Sequence, residues 1–134
     1  MSNNAKIIWL KRVLAVKVAL IIFAWGLPVL LAPLSFFKLL GVPTPDDPFY
    51  MRLFGAVVTA FGVAYWYAFK DPVRNIAILK AGIVDNGLVT LTLIYFIVFQ
   101  DLSSVFMWVS ALLTFLICLA FLLLIPKTEE ERVS

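Results

Sequence analysis

The chain has 134 residues, of which 63% are hydrophobic and 14% charged, and its mean hydropathy is +1.04. A soluble domain of this size cannot keep so much apolar surface from water, so composition alone points to a membrane protein. The net charge of +3 is set by basic residues at segment ends, which fits membrane orientation and excludes the broad basic face of a nucleic-acid binder.

A short head, Met1–Arg12, carries Lys6, Lys11 and Arg12, and a first span follows over residues 13–31, interrupted by Lys17. A basic head before an apolar run also resembles a secretory signal, but Leu30-Leu31-Ala32-Pro33 offers no small-x-small cleavage pattern and three further spans follow. Pro28 is expected to kink the span, because it withholds a backbone donor and crowds the preceding turn. Residues 33–42 are too short to cross. They read either as an interfacial turn of helix, with Phe36, Phe37, Leu39 and Leu40 on lipid, or as an irregular connector.

Asp47-Pro48 then reads as a cap followed by a first helical residue, opening a second span over 50–69. Ala56, Ala60, Ala64 and Ala68 recur in steps of four, and together with Gly55 they are expected to form a smooth ridge for close helix packing. Arg52 and Trp66 read as interfacial anchors, the latter within an aromatic belt of Tyr65, Trp66 and Tyr67. Arg52 has two further readings, a lipid headgroup contact or a pair with Asp101. Asp71-Pro72 repeats the cap, and the short connection makes spans two and three antiparallel neighbours, packed through the alanine ridge.

The third span covers 76–99 and holds Asp85 and Asn86, the only carboxylate and carboxamide deep in any apolar segment. Asp85 lies about 14 Å along the span, near mid-bilayer, where an ionised carboxylate must face protein, water or a partner. On a helical projection Gly82, Asp85, Asn86, Val89, Thr90 and Thr92 share one side, while Lys80 falls away from it and serves as an anchor at the headgroups. Lys17 is the one cation at comparable depth. A Lys17–Asp85 contact is one expectation, and Lys17 reaching back to the headgroups is the other. The fourth span, 105–125, opens after a polar turn capped at Ser104 and holds Ser110, Thr114 and Cys118; a charged tail closes the chain and is expected to fray.

The expected fold is therefore all-α: one polytopic domain of four transmembrane helices in an antiparallel bundle. Nine of the eleven Lys and Arg fall on the side of the head, the second connection and the tail, so both termini are expected in the cytoplasm. The chain lacks histidine and has one cysteine, which removes the usual metal and haem ligands and the usual general base. No phosphate loop, nucleophile elbow or catalytic carboxylate pair is present, so neither a cofactor, a metal nor an enzymatic activity is expected.

The runs Tyr50-Met51-Arg52-Leu53-Phe54-Gly55 and Gly62-Val63-Ala64-Tyr65-Trp66-Tyr67-Ala68-Phe69-Lys70-Asp71-Pro72 resemble small four-helix bacterial inner-membrane proteins of a loosely DoxX-like type. That resemblance implies a multi-pass protein of the inner (plasma) membrane and transfers no site residues. Two functions follow as expectations. The first is a non-catalytic subunit or scaffold, embedded in lipid and associated with other membrane subunits or with itself. The second is a small oligomeric transporter or proton-coupled permease using Asp85, Asn86 and Thr90, with its path between protomers because four helices enclose little volume.

Overall fold

The computed structural model describes residues 2–126, and among them every regular element is helical. The expected fraying tail, residues 127–134, lies outside them. Four helical segments are long and apolar enough to cross a membrane: Asn3–Leu31, Phe49–Lys70, Ile76–Phe99 and Val105–Leu124. Three agree with expectation to within a residue at each end.

The first span differs. It starts at Asn3, with the Ser2 hydroxyl accepting the Ala5 N–H at 3.3 Å, so the basic head is itself helical. Lys, Arg, Leu and Ala all favour helix, and charge marks the edge of the apolar stretch without ending the helix. At 29 residues the segment is about 44 Å long against a hydrocarbon thickness of about 30 Å, so its charged turns project beyond the apolar layer.

The bend is also placed differently. Helix α1 (Asn3–Leu20) passes into a π-helical turn at Ile21–Trp25, where the Gly26 N–H reaches the Ile21 carbonyl at 2.7 Å, before α2 (Leu27–Leu31) resumes. Pro28 cannot donate to the carbonyl four residues earlier, and the change of register is taken up upstream of it. Gly26 is required there: a Cβ would lie 2.7 Å from the Ile21 oxygen and 2.8 Å from Thr59 Oγ1.

Residues 33–42 form a short helix, α3 (Leu34–Leu39), rather than an irregular connector. Gly41, at φ 67°, ends it with the Gly41 and Val42 N–H groups turned back to the Lys38 and Phe37 carbonyls. Ser35, Lys38 and Leu39 are exposed, whereas Phe37 is buried in the protein and not spread on its surface. Asp47 Oδ1 accepts the Phe49 N–H at 2.9 Å at the head of α4 (Phe49–Lys70), as its sequence indicates. Asp71 does not cap α5 (Ile76–Phe99): its Oδ1 accepts the Arg74 N–H at 3.0 Å within a turn over residues 72–75 that includes Pro72, and the helix begins after Asn75. Ser104 Oγ accepts the Met107 N–H at 3.2 Å at the start of α6 (Val105–Leu124).

The packing corrects one expectation. Helix α4 lies mainly on the first span and α5 mainly on α6, while α4 and α5 make the least extensive of the helix–helix contacts. The alanine ridge does not join spans two and three. Ala56 and Ala60 are exposed, Ala64 is half-buried and only Ala68 is buried. Steps of four residues advance about 40° each around a helix, so this stripe winds by roughly 120° from Ala56 to Ala68 and cannot stay on one face. The buried positions of α4 are Gly55, Gly62, Tyr65 and Ala68, with Thr59 half-buried, and steps of seven and then three turn this face by roughly 140° in the opposite sense to the alanine stripe. Of the expected ridge residues Gly55 does make a close approach, to the first span: a Cβ there would sit 2.5 Å from the Leu30 nitrogen and 2.8 Å from the Val29 carbonyl carbon. At Gly62 the added atom would meet Ile21 Cγ2 at 2.8 Å.

Arg52 ties the same two elements together, donating from Nη1 to the Val29 carbonyl at 2.8 Å. That carbonyl's partner four residues on would be Pro33, which has no N–H, so the guanidinium answers an acceptor the helix cannot.

Candidate functional site

Helix α1 presents Leu10, Leu14, Lys17 and Val18 along one buried stripe that Ile21 continues into the π turn, and Lys17 is therefore carried into the protein with its apolar neighbours. Its residue exposure is 5%, and it does not reach the surface. Lys17 Nζ donates to Asn86 Oδ1 at 2.7 Å and lies 3.7 Å from Asp85 Oδ2. The ammonium also sits over the rings of Trp25 and Tyr65, 5.2 and 5.3 Å from their centroids. The aromatic faces supply negative potential to the buried ammonium.

Each partner is held in turn. Tyr65 Oη donates to Asp85 Oδ2 at 2.9 Å. The ring reaches α5 because position 82 is glycine: a Cβ there would lie 2.9 Å from the Tyr65 oxygen and 2.8 Å from Phe121. Asn86 is fully buried and spends its amide N–H on the Gly82 carbonyl at 2.6 Å, which fixes its oxygen towards Lys17. One turn further, the Thr90 and Thr114 hydroxyls meet at 2.8 Å, with the Asn86 carbonyl 2.8 Å from Thr90 and the Ser110 carbonyl 2.9 Å from Thr114 as acceptors. Trp25 Nε1 donates to Ser110 Oγ at 3.1 Å. No described buried side-chain nitrogen or oxygen lacks a partner, so a polar network crosses all four spans with its hydrogen bonds met.

The network borders a cavity of about 200 Å³. Lys17, Asp85 and Ser110 contribute to its wall, and the rest is apolar, notably Ile21, Val58 and Val89. Phe54 and Phe61 of α4 also line it and are exposed, so the cavity sits where α4 and α5 part. The Asp85 side chain is 33% exposed, in contrast to its lysine partner.

Of the residues singled out from sequence, Lys17, Asp85, Asn86 and Thr90 come together. Thr92 turns outward, away from the polar stripe. Trp66 is exposed, stacked on Phe69 at 5.4 Å, and Lys80 is exposed. Arg52 bonds to Val29 and not to Asp101. Two participants were not foreseen. Tyr65 belongs to the site and not to a surface belt, because the glycine at position 82 leaves room for its ring against α5. Trp25 carried no sequence signal, because the π turn shifts its azimuth. Among the described residues no three of His, Cys, Asp or Glu gather as metal ligands. Comparison of the chain with family models, with curated proteins and with solved structures finds no match.

Proposed function

We propose that the chain binds a small molecule within the bilayer, the step on which a small permease depends. The observation that carries this reading is the position of the Lys17–Asp85 pair on the cavity wall, with Asp85 still one-third exposed. A polar pair buried only to hold helices together needs no space beside it, whereas a mid-membrane site that exchanges a ligand or a proton does. Asp85, the more exposed partner of the pair, is the group a ligand in the cavity reaches, and Lys17 stands behind it. The four helices stand antiparallel in a bacterial plasma membrane with both termini cytoplasmic, as the Lys and Arg distribution favours. The DoxX-like resemblance agrees with that class and assigns no ligand.

The test compares the protein with Val89→Phe, which fills the cavity and leaves Lys17 and Asp85 in place. Both are purified from native membrane, extracted with solvent, and their small-molecule contents compared by mass spectrometry. A compound retained by the unaltered protein and lost from the variant supports the reading; identical extracts defeat it. A second reading, a non-catalytic subunit of a larger assembly, is favoured by the fact that at most 33% of any span is buried within the chain. Stoichiometric foreign chains in the same preparation would support that reading.

A further inference from the structure

On the reading that this cavity binds a small molecule, we infer that its occupant is a neutral, single-ring compound bearing a hydroxyl group. Charge comes first. Lys17 and Asp85 cancel, and the ammonium is already engaged by Asn86, Asp85 and two aromatic faces, so no net charge is left to pair with an ion. The exposed rings of Phe54 and Phe61 at the mouth make an ionic ligand's desolvation costly as well.

Hydrogen bonding comes second. Asp85 accepts Tyr65 on Oδ2, and Oδ1 receives no hydrogen bond from any described residue. Ser110 accepts the Trp25 N–H and donates to no described residue. The wall thus offers an open carboxylate acceptor and the hydroxyl of Ser110 beside an ammonium that makes a single hydrogen bond, and a hydroxyl, which both donates and accepts, is the smallest group that answers them. Size comes third. A dry apolar cavity of roughly 150 Å³ accommodates benzene. About 200 Å³, walled by Ile21, Val58 and Val89, holds one substituted ring and not a whole lipid.

The experiment uses the full chain in lipid nanodiscs and reads binding by fluorine NMR with three probes: 4-fluorophenol, fluorobenzene and the anion 4-fluorobenzoate. Empty nanodiscs correct for partition into lipid. The expected result is saturable binding of 4-fluorophenol, at least about tenfold tighter than fluorobenzene, as a hydrogen bond to a charged acceptor implies. 4-Fluorobenzoate should not bind, and both Val89→Phe and Leu93→Trp should abolish binding. Two cavity-filling variants guard against one that fails to fold. Equal affinity for fluorobenzene and 4-fluorophenol overturns the hydroxyl assignment, and preference for 4-fluorobenzoate overturns the neutral one. Either result leaves the cavity as a binding site. Saturable binding of none of the three overturns the inference outright, and the solvent-extract comparison then decides separately whether the cavity has another occupant.

Discussion

Replacing Asp85 with leucine removes the carboxylate and leaves the Lys17 ammonium in place. Lys17 keeps Asn86 Oδ1 at 2.7 Å and its aromatic faces, but at 5% exposure it loses the one carboxylate within 4 Å among the described residues. Breaking a buried ion pair from one side costs about 3–5 kcal/mol. Asp85 is one-third exposed, so water already screens part of the attraction, and the low end, about 3 kcal/mol, is expected. Lys17→Met on its own leaves a carboxylate that still has Tyr65 and an open side, and should cost less, about 1–2 kcal/mol. The double variant removes both charges and fills the site with apolar groups of similar volume, so it should lie within about 1 kcal/mol of the unaltered protein. The assay is thermal stability of the four proteins in one detergent, read by loss of monodisperse protein. The coupling, measured from the full cycle, should be at least about 2 kcal/mol and favourable. Additive single effects would refute the reasoning, because they would mean that the two groups do not sense each other.

Four further substitutions separate the packing face from the surface and test individual bonds. Gly55→Ala must move α4 off the Leu30 backbone and should cost about 1–3 kcal/mol, while Ala60→Val on the exposed stripe should change stability by less than about 0.5 kcal/mol; equal effects would restore the alanine ridge. Tyr65→Phe deletes the hydroxyl bond to Asp85 and should cost about 1.5 kcal/mol, checked by the same melts and absent in an Asp85→Leu background. Arg52→Leu strands the Val29 carbonyl opposite Pro33 and should cost about 1–3 kcal/mol, with the largest increase in hydrogen exchange at residues 27–33.

Much of this architecture was legible because its signals are local. Apolar runs set four spans, and Asp47-Pro48 and the hydroxyl of Ser104 mark helix starts by bonds to N–H groups two or three residues away, whereas Asp71-Pro72 opens the turn that precedes α5. The polar pair Asp85-Asn86 stood out because no apolar segment holds another like it. The partners of α4 were not legible in the same way. Four alanines in steps of four look like a packing seam, and Gly55 and Gly62 reveal that the contact lies elsewhere only once the first span lies against them. The start of α1 was missed because its charges were read as the end of the helix. Tyr65 was assigned to the aromatic belt with Trp66 and Tyr67, yet 100° per residue turns it inward while they remain exposed. Trp25 depends on a π turn, which local sequence does not specify.

The most direct measurement is an experimental structure in lipid nanodiscs, prepared from native membrane without added ligand. The account predicts ordered non-protein density in the space between α4 and α5, touching Asp85, with Lys17 still bonded to Asn86. A structure in which the helices close until side chains fill that space would contradict it.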